Sequence, residues 1–153
     1  EERRRGITIN TAQANFSTKN KNFTIIDAPG HVDFISNMIS GASQAECAIL
    51  VVDANKGSFE RGFEGGGQTK DHAILARSLG VTQLCVAVNK LDMMEWREER
   101  YDEIVQKLLP FLTSIGFKDQ SIHFAPISGL KGLNLDGEDS QPEALKQWYN
   151  EKQ

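Results

Sequence analysis

Leu84-Cys85-Val86-Ala87-Val88-Asn89-Lys90-Leu91-Asp92 holds the architecture in miniature. Its first five residues are apolar with no polar alternation, the pattern of a strand covered on both faces in a parallel sheet between helices. Polar groups begin at Asn89, so Asn89, Lys90 and Asp92 fall at the carboxyl edge of the strand, where open α/β sheets bind ligands. The same form recurs along the chain. Phe23-Thr24-Ile25-Ile26-Asp27 closes on Ala28-Pro29-Gly30, and Cys47-Ala48-Ile49-Leu50-Val51-Val52-Asp53 closes on Ala54-Asn55-Lys56-Gly57. A weaker run, Ile122-His123-Phe124-Ala125-Pro126-Ile127, leads into Ser128-Gly129-Leu130.

The intervening segments supply helices. Residues 34–41 form a short one, and residues 68–79 place Ala73, Ile74, Ala76 and Leu79 on one side before a stop at Gly80. Over 98–115, Tyr101, Ile104, Val105, Leu108, Leu112 and Ile115 recur at helical steps, and Pro110 within them predicts a kink near Gln106 and Lys107. A closing helix is predicted over 141–149, while 7–17 reads as a loop followed by an edge strand. Phe63-Glu64-Gly65-Gly66-Gly67 is a flexible connection rather than a domain linker. Strands alternating with helices predict an α/β fold, a three-layer sandwich around a mostly parallel sheet.

Composition narrows the function. Lys and Arg number 17 against 21 Asp and Glu, a net charge of −4, so there is no global basic field to hold DNA or an anionic membrane. Any RNA contact must be local. The apolar runs are strand-sized, far short of the ~20 residues that span a bilayer, and a cytoplasmic protein without a membrane partner is expected. Cys47 and Cys85 lie in apolar runs and are expected to be small buried hydrophobes in a reducing compartment. No CxxC is present, and His31, His72 and His123 give no zinc-type spacing. His72 and His123 read as structural. Trp96, Trp148 and Tyr149 read as packing anchors or as part of an interface, and Glu1-Glu2-Arg3-Arg4-Arg5 as a solvated charge run or an RNA-facing cluster.

Three strand ends carry polar groups in a telling order: Asp27-Ala28-Pro29-Gly30-His31, Asn89-Lys90-Leu91-Asp92 and Ser128-Gly129-Leu130. They match the DxxG, NKxD and SxL elements of GTP-binding proteins. Asp27 at a strand end can hold Mg2+ through a water, and the Gly30 amide can face a γ-phosphate because glycine permits close approach. Asp92 offers two acceptor oxygens to the two N–H donors of a guanine edge, a pair that adenine lacks. Asn89 ties the loops together, the stem of Lys90 covers the base, and Ser128 with Gly129 and Leu130 closes the other face.

With Arg5-Gly6-Ile7-Thr8-Ile9 ahead of Asp27-Ala28-Pro29-Gly30-His31, and Gly67-Gln68-Thr69-Lys70-Asp71-His72 beyond, the chain resembles the translational GTPases related to EF-Tu and elongation factor one alpha. The resemblance covers essentially the whole chain. It implies GTP and GDP as ligands and Mg2+ as cofactor. Thr8 would be the switch I ligand of the metal, Ile7 one wing of a hydrophobic gate, and His31 the residue that positions the attacking water, with the sarcin-ricin loop of the ribosome as trigger. Glu60-Arg61-Gly62-Phe63, Trp96-Arg97-Glu98-Glu99-Arg100-Tyr101 and Gln147-Trp148-Tyr149 look most like the HBS-one-like ribosome-rescue branch that partners Pelota. Elongation factor one alpha and eukaryotic release factor three, with a release-factor-type partner in the ribosomal A site, are the alternatives.

The GxxxxGK[ST] loop that cradles phosphates does not occur in the 153 residues, and Gly65-Gly66-Gly67-Gln68-Thr69-Lys70 has its lysine on the wrong side of threonine. In the resembled fold that loop follows a central strand between the runs at 23–27 and 47–53. The chain therefore reads as a partial GTP-binding domain over 1–153, from switch I through the Ser-Gly-Leu motif and closing helix, missing the first strand and P-loop. A catalytically inactive GTPase-like binding module is the competing expectation.

Overall fold

The structure, a computed structural model, describes residues 12–27, 39, 45–64, 66–136 and 140–150. Ile7, Thr8, Gly30 and His31, and all of the expected 34–41 helix but residue 39, lie outside them.

Strands β1 (Ala12–Ser17) and β2 (Asn22–Asp27) form an antiparallel hairpin, in register from Ala12 opposite Asp27 to Ser17 opposite Asn22. A separate parallel sheet has the order β3 (Cys47–Asp53), β4 (Gln83–Asn89), β5 (Ile122–Pro126). Among the described residues no ladder joins the two sheets, and the break falls between the runs that were expected to flank a central strand.

Helices α1 (Ser58–Phe63) and α2 (Gln68–Ser78) link β3 to β4, and α3 (Glu98–Ser114) links β4 to β5. Helix α4 (Glu143–Tyr149) closes the chain. The apolar stripe of α3 buries Tyr101, Ile104, Leu108 and Leu112, as its spacing requires. Phe59 and Phe63 of α1 stack at 5.5 Å, and Phe63 meets Phe111 of α3 edge-on at 5.6 Å. Trp148 of α4 is buried and its Nε1 donates to the Trp96 carbonyl at 2.9 Å, so both tryptophans serve as packing anchors. The hydroxyls of Tyr101 and Tyr149 converge on the Phe124 carbonyl of β5 at 3.2 and 3.3 Å.

Several expectations need correction. Burial on both faces holds for β4, where Leu84, Val86, Ala87 and Val88 are all buried. It fails for β3, whose Ile49 and Val51 are 70% and 60% exposed on a face left open among the described residues. Cys47 lies on that same face and is exposed, and Cys85 is only half-buried, so neither is the buried hydrophobe that its run suggested. Helix α3 contains Pro110 and ends at Ser114, one residue short of the expected 98–115 span. The closing helix starts at Glu143, two residues later than expected, because Pro142 in extended backbone caps it. Helix α1 was not foreseen. Gly57, at φ 80, turns the chain into it, a conformation that glycine adopts without strain.

Candidate functional site

The parallel register sets Asp53 beside Asn89 at the ends of β3 and β4. The sheet bonding then runs on into the loops. The Ala54 amide donates to the Asn89 carbonyl at 2.8 Å, Ile127 to Val88 at 2.9 Å, and Leu91 to Ile127 at 3.3 Å. These bonds draw the three carboxyl-edge loops into one cluster.

Asn89 joins two of them through its side chain, whose Oδ1 accepts from the amides of Lys90 at 2.8 Å and Gly129 at 2.9 Å. A Cβ built at Gly129 would sit 3.4 Å from that oxygen, in ordinary van der Waals contact, so the bond itself leaves room for a side chain. Lys90 takes a left-handed φ of 63°, rare for a side-chain-bearing residue and a form of strain that collects at functional sites. The turn lets Leu91 anchor in the core and leads straight into Asp92. Ser128 is buried and pairs in a small bridge with Leu133, which folds Gly129, Leu130, Lys131 and Gly132 into a compact loop. Asn134 Nδ2 fastens that loop to the Pro126 carbonyl at 2.8 Å, and Gln141 Nε2 in turn donates to Asn134 Oδ1 at 2.9 Å.

Both charged groups of the Asn-Lys-Leu-Asp motif have partners outside it. Lys90 Nζ lies 2.8 Å from Asp53 Oδ2, and Lys131 Nζ lies 2.9 Å from Asp92 Oδ2. Burial by itself would push the Asp92 carboxyl up, but the Lys131 ammonium and the Ser128 hydroxyl outweigh it and hold the group below the ordinary carboxylate range. Asp53 is likewise held down against its burial, by Lys90 and by the Asn55 amide, which donates to its Oδ1 at 2.8 Å. Asp92 is therefore an ionised, twofold acceptor. Leu130, the neighbour of Lys131 in the loop, is 97% exposed, an apolar group available to a flat ring.

Asn89, Lys90, Asp92, Ser128, Gly129 and Leu130 are thus brought together. Asp27 is exposed at the end of β2, in the hairpin rather than in the parallel sheet. Asp53, Lys131, Asn134 and Arg100 were not singled out from sequence. Asp53 was legible as a polar strand terminus and Lys131 by its adjacency to Ser-Gly-Leu; Asn134 and Arg100 gave no local signal. Arg100, 4% exposed, donates through Nε to the Ala54 carbonyl at 2.8 Å and through Nη1 to Glu60 at 2.9 Å and Glu103 at 2.7 Å. It fixes the loop that leaves β3 next to Asp53.

A family model described as the elongation factor Tu GTP binding domain matches residues 1–149. The chain belongs to that family. Protein HBS1 of Drosophila melanogaster is 57% identical over 150 residues, covering 98% of this chain and 22% of its own length. Elongation factor 1-alpha of Mucor circinelloides f. lusitanicus is 50% identical, covering 98% of this chain and 33% of its own. Among solved structures, sup35 complexed with GDP is 38% identical with a TM-score of 0.70, over 89% of this chain and 31% of that one. The chain spans between about a fifth and a third of the relatives it matches. Membership of the family accounts for the α/β architecture, with its parallel sheet and ligand edge.

Proposed function

We propose that this chain binds GTP and GDP through the base pocket at the carboxyl edge of β4 and β5, as part of a GTPase that acts on ribosomes. The observation that carries the reading is the Asn89 side chain bonded to Gly129 while the Asp92 carboxylate stands ionised beside it. The residues fit a guanine base. Asp92 supplies two acceptors for adjacent N–H donors, and Leu130 and the stem of Lys90 supply apolar cover for the ring. The 57% identity to HBS1 favours ribosome rescue and mRNA surveillance in the cytoplasm, with a Pelota-type or release-factor-type protein in the A site.

Asp27 has the donor chemistry for a hard cation, and Thr8 would supply a hydroxyl beside it; Mg2+ held there would neutralise phosphate charge. His31 would orient the attacking water for in-line displacement at the γ-phosphate, with Ile7 shielding it and the Gly30 amide facing the phosphate. Their part is to position groups.

Asp92→Asn tests the pocket. An amide offers one acceptor and one donor where guanine needs two acceptors, so GDP affinity should drop about tenfold to a hundredfold. Xanthosine diphosphate, which carries a carbonyl in place of the exocyclic amine, should gain. A variant that binds both nucleotides as the parent does would refute the reading.

A further inference from the structure

The Asp92 carboxylate is only 9% exposed, and groups of this chain already satisfy it. Its Oδ2 holds the Lys131 ammonium at 2.9 Å, and the Ser128 hydroxyl bonds the same carboxylate. A guanine edge needs both oxygens. Lys131 reaches in from a loop closed by the Ser128–Leu133 bridge, and its side chain is 57% exposed, so a displaced ammonium passes directly into water. Lys90 is not part of this pairing, because its own ammonium is held by Asp53.

We propose that Lys131 is a built-in competitor for the guanine edge: its ammonium takes the Asp92 oxygen that a base N–H must occupy, and nucleotide binding displaces it. The inference rests on the base-pocket reading above. Lys131 thereby tunes affinity and the rate of loading without belonging to the Asn-Lys-Leu-Asp motif. It also supplies the counter-charge for a nearly buried carboxylate that the neutral Ser128 hydroxyl cannot.

The test is stopped-flow binding of a fluorescent GDP to the complete protein, carrying Lys131→Met or Lys131→Arg. Met keeps the length of the stem and removes the charge. Association should quicken and the dissociation constant tighten by about two- to fivefold, the range of a partly exposed ion pair. Arg, which keeps the cation, should bind as the parent does. The gap between parent and Met should close as salt rises, because an exposed partner is screened, and a purely structural role would not show this. Unchanged or weaker binding by the Met variant, in a parent that prefers GDP over ADP, overturns the competitor alone. A parent without that preference overturns the base pocket and the competitor together.

Discussion

Strands β2 and β4 begin as similar sequences, each an apolar run ending in a polar residue at the edge where ligands bind, and they end in different surroundings. β4 has a neighbour on each side and a core on its faces, and its Val86 and Val88 are fully buried. Among the described residues β2 pairs with β1 alone, its Ile25 is 52% exposed, and its cross-strand contacts are surface ones, such as Phe16 stacked on Phe23 at 5.0 Å. An apolar run thus becomes a rigid scaffold only when neighbours fill both its edges and its faces. Asn89 and Asp92 inherit that rigidity. Asp27, at the end of an exposed hairpin, does not, so the two ends of the proposed nucleotide site differ in how firmly this chain alone holds them.

The hardest blow to the rigid half is Arg100→Met. It leaves the partly exposed Glu60 and Glu103 without their buried cation and two loop carbonyls without a donor, at about 1–3 kcal/mol for each buried group left unsatisfied. Urea unfolding followed by the fluorescence of Trp96 and Trp148, which pack in this half, reads it out directly. A loss below about 1 kcal/mol would show that the loop leaving β3 is held by something else, and the contrast with the hairpin would weaken.

Acid attacks the same cluster more gently. The Arg100 guanidinium bonded to Glu60 brings that carboxyl down from 4.5 to about 2. A carboxyl lowered on folding contributes stability that is complete above about pH 4.5 and is lost as pH falls towards about 2. Glu60 is 27% exposed, so the loss is on the order of 2 kcal/mol, and Glu60→Gln should flatten the slope between pH 5 and pH 3. A slope equally steep in the variant would assign the acid sensitivity to other carboxyls.

Most of the order of elements was legible because β2, β3 and β4 each end at a polar residue and α3 carries an apolar stripe. The base-pocket residues were legible because they sit in short motifs at those ends. What escaped was whatever depends on residues far apart in the chain. Arg100 lies 46 positions from Ala54, and nothing in the local pattern of either announces their bond. The exposure of Cys47, Ile49 and Val51 escaped for a related reason: an unalternating run records that a strand can be buried on both faces, while the covering layer must come from elsewhere. Asp53→Asn probes one such long-range pair. Its bond to Lys90 is partly exposed, so stability should fall by only about 0.2–1 kcal/mol, and GDP binding should weaken if Lys90 loses its set position over the base. Stability and binding that both match the parent would reduce Asp53 to a bystander.

The smallest effect belongs to the hairpin, and there smallness is the prediction. Ile25 is 52% exposed on a strand that among the described residues pairs with β1 alone, so Ile25→Ala removes little buried surface and should change stability by less than about 0.5 kcal/mol in urea unfolding of this chain. Val86→Ala, a smaller truncation in β4, should cost more, because it opens a cavity in a filled core. The ranking inverts the usual expectation that the larger deletion hurts more, and it does so only if packing, rather than the apolar run itself, sets the energy. Covering that face of β2 should reverse it: once a packed layer buries Ile25, Ile25→Ala would cost what core truncations cost, about 2–5 kcal/mol.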